Sequence, residues 1–324
     1  MLSYTVSVYD INLQFSSNSE SFLREIRKDL NRFAVSDSSK AANAEWSFSV
    51  SETTSTLPLQ IPEFAIRDSI MFPSAQIYVL NNLIYLEDKE KYIIKIDNQK
   101  KTVEAYVKPS VSIIEKIRFL IKRVLIKTLE SRNIYFIHGA AIERNDLSIV
   151  FAGSSGSGKT SALISLLERG NKLVTDDTVL FKEQNILPFY MRSMIHQDML
   201  ERFPKLKKGI GSNSTWVPES KGYWMDIGET FPFHEKELPL SKIFYLYVWN
   251  SSETVCEEIP KKEMLAKLYG TYLQETTQIS LGATSPDKVF AAYHTLLNQV
   301  KCYKLFAGNN QKKFADSLEH LIEA

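Results

Sequence analysis

The residues best equipped for chemistry are Gly153-Ser154-Ser155-Gly156-Ser157-Gly158-Lys159-Thr160, which fit the spacing G-x-x-x-x-G-K-[ST] at every fixed position. Each residue type has a physical reason to be there. Glycine lets the backbone turn sharply and brings N–H groups close to phosphate oxygens. A helix starting at the end of the loop adds unpaired N–H donors and a partial positive charge. Lys159 then reaches the β- and γ-phosphates, the Thr160 hydroxyl ligates magnesium, and Ser161 continues the cradle. The pattern predicts binding of a nucleoside triphosphate, ATP, with Mg2+.

The flanking residues supply the context such a loop needs. Leu147–Ala152 is an apolar run that predicts a strand feeding the loop. Ala162, Leu163, Leu166 and Leu167 fall on one face of a following helix, and Gly170 sits where a helix-ending glycine belongs. A second strand, Leu173–Thr175, runs into Asp176-Asp177. A strand–loop–helix–strand unit gives two parallel strands with their carboxyl ends at one edge, so both carboxylates are expected beside the phosphates. One can hold magnesium, and the other can accept a hydroxyl proton or orient the attacking oxygen. Their mutual repulsion raises one pKa and a bound cation lowers it, so sequence does not set the resting protonation state. His138, at the end of the run Ile134–Ile137, reads on its own as a hydrogen-bonded structural residue.

In order, His138-Gly139, the loop 153–160 and Leu173-Val174-Thr175-Asp176-Asp177-Thr178-Val179 resemble the kinase domain of the bacterial HPr serine kinase/phosphorylase family, over about residues 134–181. The resemblance implies a P-loop set in an α/β core like that of phosphoenolpyruvate carboxykinase. It implies transfer of phosphate from ATP, with magnesium, to a protein serine. By position it makes Asp177 the catalytic base, Asp176 the residue nearer the metal, and His138 the histidine beside the reacting phosphoryl group. Lys159 and Thr160 keep the roles argued above. Beyond Lys182 the family pattern is not followed, and residues 1–108 do not resemble that family's regulatory domain, which points away from HPr itself as substrate. The layout is similar to stand-alone kinases that phosphorylate a serine of ribosomally made peptides, lasso peptides included.

The rest of the chain must position these groups. Its 324 residues suit two domains, read as a β-rich 1–108 for partner or substrate binding and a nucleotide-binding kinase domain at 109–324. Alternation at Tyr4–Tyr9 and Trp46–Val50, with apolar runs at 76–80, 83–86 and 92–96, predicts strands. Ser19–Asn31 reads as a helix and Ser36–Ala44 as a loop. Pro109 marks the boundary, and apolar residues from Ile113 to Leu129 recur at helical spacing. Later come a strand at 243–248, helices at 261–273 and 285–299, a strand at 302–306 and a closing helix at 311–322. Arg192 offers charge for a transferred phosphoryl group or pairs with a surface carboxylate. His196 reads as structural, and 207–228 either as a substrate loop or as a surface excursion with packed aromatics.

With 39 basic against 38 acidic residues, the net charge of +1 creates no field for nucleic acid or an anionic membrane. Two cysteines, Cys256 and Cys302, lack CxxC spacing, and no run of about 18 apolar residues exists. These features, with an N-terminus unlike a signal peptide, predict a cytoplasmic location. The leading expectation is a kinase acting on a serine or threonine of a peptide or protein. A nucleotide hydrolase or switch, a non-catalytic nucleotide-binding adaptor, and a free amino acid or small alcohol as acceptor stay open. So do ATP against GTP, reverse phosphorolysis, and homo-oligomer formation.

Overall fold

The computed structural model describes the chain except residues 36–42, 73–74, 89–90, 110, 277–280, 282–284 and 324. The loop expected at Ser36–Ala44 therefore lies largely outside the described residues. The chain divides into two compact units, one holding Met1–Leu129 and the other Glu130–Thr277 with Thr284–Ala324. Both combine sheet and helix, so the architecture is mixed α/β.

The first unit is built on an eight-stranded sheet: β1 (Leu2–Val8), β2 (Ile11–Ser17), β3 (Trp46–Glu52), β4 (Ile66–Phe72), β5 (Ala75–Leu80), β6 (Leu83–Asp88), β7 (Tyr92–Asp97) and β8 (Thr102–Val107), in the spatial order 1-2-3-8-7-6-5-4. Tyr9 and Asp10, both at positive φ, form the tight turn that joins β1 to β2. Strict alternation of buried and part-buried residues in β2 puts Phe15 against Phe48 of β3, with ring centroids 5.0 Å apart. Helix α1 (Glu20–Leu30) buries Phe22, Leu23, Ile26 and Leu30 along one stripe. The boundary falls after Leu129, not at Pro109 as the sequence predicted, so helix α2 (Ile114–Glu130) counts almost wholly with this unit. A buried ion pair between Arg118 of α2 and Asp29 of α1 ties it there. Proline marked the end of a strand region, whereas the division follows the packing of the helix.

The second unit carries the nucleotide-loop motif. Its main strands are β9 (Tyr135–Arg144), β10 (Leu147–Ala152), β11 (Lys172–Thr175), β12 (Thr178–Lys182) and β13 (Asn185–Leu187). A separate three-stranded sheet holds β14 (Ser193–His196), β15 (Thr215–Val217) and β16 (Gly222–Met225), in the order 14-16-15. The main sheet is completed by β17 (Leu238–Val248), β18 (Val255–Glu258) and β19 (Lys301–Ala307). Its order is 10-9-12-13-17-19-18, with β11 on β9, and an added pairing of β10 with β17 closes five strands into a ring. Helix α3 (Lys159–Leu167) packs on β9 and β10, burying the four predicted residues Ala162, Leu163, Leu166 and Leu167.

β10 and β11 run in the same direction, but they are not neighbours. Both pair antiparallel with β9, which lies between them. The expected parallel relation therefore holds through an intervening strand, and His138-Gly139 lies within that strand. The stretch 207–228 is not one loop either. It follows helix α4 (Gln197–Arg202) and contains the end of a short helix, α5 (Pro204–Lys208), and strands β15 and β16, with Trp216 and Tyr223 packed at 4.9 Å between ring centroids.

Candidate active site

The loop after β10 owes its shape to three glycines at positive φ: Gly153 (152°), Gly156 (76°) and Gly158 (94°). Gly158 is the N-cap of α3, that helix end makes no side-chain cap bond among the described residues, and residues 158–161 there line the cleft. Lys159 folds back beneath the loop, and its Nζ donates to the carbonyls of Gly153 (2.9 Å) and Ser154 (2.8 Å). Gly153 is buried under the loop against Ser157, whose Oγ meets no hydrogen-bond partner among the described residues.

Strand register brings the other predicted groups to the same edge. Gly139 pairs with Ala152, the last residue of β10, while His138 pairs with Thr178, the first residue of β12. A methyl at Gly139 would lie 2.7 Å from the Phe151 carbonyl oxygen, so the close strand approach demands glycine there. Between β11 and β12 the Thr178 N–H donates to the Asp176 carbonyl at 2.9 Å, a one-residue turn with Asp177 at its apex at φ 69°. This turn sends the two aspartates into different surroundings. Asp176 is buried and Asp177 is exposed.

Thr160 Oγ1 donates to Asp176 Oδ1 at 3.2 Å. Burial pushes the Asp176 carboxyl above the usual carboxylate range, and the Asp177 charge adds to this. Hydrogen bonds from Ser193 and Thr160, and the Lys159 charge, pull it back. Asp177 Oδ1 lies 3.3 Å from His138 Nδ1, which is also 3.2 Å from the Asp177 carbonyl oxygen. Two oxygen donors, the Thr160 hydroxyl and the Asp176 carboxylate, suit a small hard cation that completes its shell with phosphate oxygens and water. No group of three or more His, Cys, Asp or Glu converges among the described residues.

These groups line one cleft of about 290 Å³. Of the predicted site residues, His138, Ser155, Gly156, Gly158, Lys159, Thr160, Ser161, Asp176 and Asp177 line it. Gly153 and Ser157 lie beneath the loop, and Ser154 contributes its carbonyl to Lys159. The facing wall comes from β14 and α4: Met194, His196, Asp198, Met199 and Arg202. His196 thus belongs to the cleft, though its Nδ1 also bonds the Ser220 carbonyl at 2.9 Å. Asp198 and Arg202 carried no sequence signal, because no motif spans the distance from the loop to α4. Arg192 is outside this lining. It is buried, and its Nη1 donates to the Asn213 carbonyl (3.1 Å) and to Thr215 Oγ1 (2.9 Å), which ties it to the small sheet.

No family model matches the chain. It is 31% identical over 74 residues to the HPr kinase/phosphorylase of Clostridium beijerinckii, a stretch covering 23% of this chain and 21% of that protein. It is 29% identical over 117 residues to the HPr kinase/phosphorylase of Mycoplasmopsis pulmonis, covering 35% and 36%. The chain therefore spans about a fifth to a third of the length of these curated relatives. Among solved structures, the HPr(Ser) kinase/phosphatase from Coxiella burnetii aligns with a TM-score of 0.27 at 10% identity, over 58% of this chain and 91% of that one. The sequence similarities mark this chain as an HPr kinase-like protein, with the likeness carried by a limited part of its length.

Proposed function

We propose that this chain is an ATP- and magnesium-dependent kinase that transfers the γ-phosphoryl group to a serine or threonine hydroxyl of a peptide or protein, such as a ribosomally made peptide. The core would be of the phosphoenolpyruvate carboxykinase type. The observation that carries the reading is the difference in surroundings of the twin aspartates: Asp176 buried against Thr160 at 3.2 Å, Asp177 exposed against His138 at 3.3 Å, in one cleft with the start of α3.

In this reading the loop N–H groups and Lys159 hold the phosphates, and Thr160 with Asp176 holds the cation. Bound magnesium would neutralise phosphate charge, and ATP would supply the phosphoryl group. Asp177 is exposed, so it can meet an incoming hydroxyl and take its proton as the new oxygen–phosphorus bond forms and the bond from the γ-phosphorus to the departing ADP breaks. In this reading His138, whose Nδ1 lies 3.2 Å from the carbonyl oxygen and 3.3 Å from a carboxylate oxygen of Asp177, helps to set the carboxylate's direction. The burial of Asp176 and the exposure of Asp177 support giving the metal-holding role to the first and the proton-accepting role to the second.

The test is incubation with ATP, magnesium and candidate peptides, read by mass spectrometry for gain of one phosphoryl group. Asp177→Asn should leave ATP affinity near wild type and cut transfer by about 10²–10⁴-fold, the usual worth of a general base. Loss of ATP binding as severe as in Lys159→Ala, or ADP release with no phosphorylated peptide under any condition, would overturn the reading.

A further inference from the structure

Helix α4 separates two cavities. Asp198, Met199 and Arg202 face the phosphate cleft, whereas Gln197, Leu200 and Glu201 line a second cavity of about 400 Å³. At 100° per residue these two sets point to opposite sides of the helix. The far side of the second cavity is formed by Ile210, Trp216 and Tyr223. Trp216 is 43% exposed and Ile210 36%, an unusual exposure for large apolar side chains, and the Trp216–Tyr223 ring pair gives the cavity a rigid aromatic wall. Its rim carries one cation, Lys207, and one anion, Glu201, so it has no net preference for a charged guest.

We infer that this second cavity binds an apolar side chain of the acceptor peptide, so that the enzyme selects serines or threonines with a leucine-sized or aromatic residue nearby. The inference rests on the kinase reading above. The shared helix argues for the acceptor segment as occupant: α4 lines both the phosphate cleft and this cavity, so a chain crossing over it would place one residue on each side. A helix with its side chains is about 10–12 Å across, and an extended chain advances about 3.3 Å per residue. The apolar residue therefore stands about three positions from the phosphorylated hydroxyl. The apolar cavity supplies affinity and register, while the cleft supplies the chemistry.

Two synthetic peptides test this. Each has a single serine, with leucine about three positions to both sides in one and alanine there in the other. Binding is measured by fluorescence anisotropy of the labelled peptides, and transfer by mass spectrometry with ATP and magnesium. Burying one leucine side chain is worth about ten- to a hundredfold in affinity, so the leucine peptide should bind the wild type tighter by that factor. Trp216→Ala and, as a second variant, Ile210→Glu should erase the preference while retaining thermal stabilisation by ATP, which reports a folded cleft. Equal affinities for the two peptides alongside measurable transfer, or a preference that survives both variants, would overturn the docking cavity alone. Preferential binding with no transfer to either peptide would overturn the assignment of the occupant together with the kinase reading.

Discussion

Replacing Gly153 by alanine isolates how the loop is held. The added methyl would sit 2.5 Å from Ser157 Oγ, 3.0 Å from the Leu246 carbonyl oxygen and 3.2 Å from Ser157 Cβ. The carbonyl cannot retreat easily, because β17 is locked in parallel register with β10, with Ala152 opposite Tyr245. Residue 153 also sits at φ 152°, a conformation L side chains rarely adopt. The backbone contribution is about 1–3 kcal/mol and the overpacking about 1–3 kcal/mol more, for a total of about 2–6 kcal/mol. Gly156→Ala provides the control, since φ is 76° but nothing lies within 4 Å of the added carbon, leaving only about 1–2 kcal/mol of backbone cost. In a unit of this size 1 kcal/mol shifts the melting temperature by about 2–4 °C, so a difference of about 1–4 kcal/mol should put Gly153→Ala about 2–16 °C below Gly156→Ala. Calorimetry measures this, and titration with ATP should show a parallel loss of affinity, because the Gly153 carbonyl anchors Lys159 Nζ at 2.9 Å. Adding Ser157→Ala to Gly153→Ala removes the nearest contact and should recover about 0.5–3 kcal/mol beyond additivity. Equal melting temperatures for the two glycine variants, with no recovery in the double variant, would refute the packing argument.

Two further outcomes follow from buried polar groups. The folded-state pKa of Asp176 is raised above its unfolded value, chiefly by burial, so its contribution to stability is full below the unfolded pKa and is lost as pH rises through the folded one. Asp176→Asn should therefore gain stability relative to wild type in nucleotide-free protein on going from acid to neutral pH, while losing affinity for magnesium-ATP. Melting curves across pH, paired with titration calorimetry, check both signs, and an unchanged gap across pH would contradict the burial argument. Arg192→Ala should cost about 2–4 kcal/mol of stability by removing charged hydrogen bonds to Asn213 and Thr215, with ATP affinity retained. Urea unfolding tests this, and a large fall in turnover with stability unchanged would instead put Arg192 in the chemistry.

What the sequence determined by itself is local. The spacing of Gly153, Gly158, Lys159 and Thr160, the apolar face of α3 and the strand ending at Asp176-Asp177 all depend on residues within a few turns of one another. Helical and strand periodicity make such patterns readable, as they did for α1 and α2. Some strands with clear alternation, Ile11–Ser17 and Thr102–Val107, were still not read from the sequence, because short polar-apolar runs resemble connecting segments until partners are known. Tertiary structure alone decided which strand lies between β10 and β11, and hence why His138 meets Asp177. It alone decided that the adjacent carboxylates differ in burial, since one tight turn at Asp177 sends them to opposite environments. It also set the far wall of the cleft on α4, the burial of Arg192 and the cavity at Trp216. Contacts between residues far apart in the chain leave no periodic trace, because their energy comes from surfaces that exist only once the ring of strands has closed.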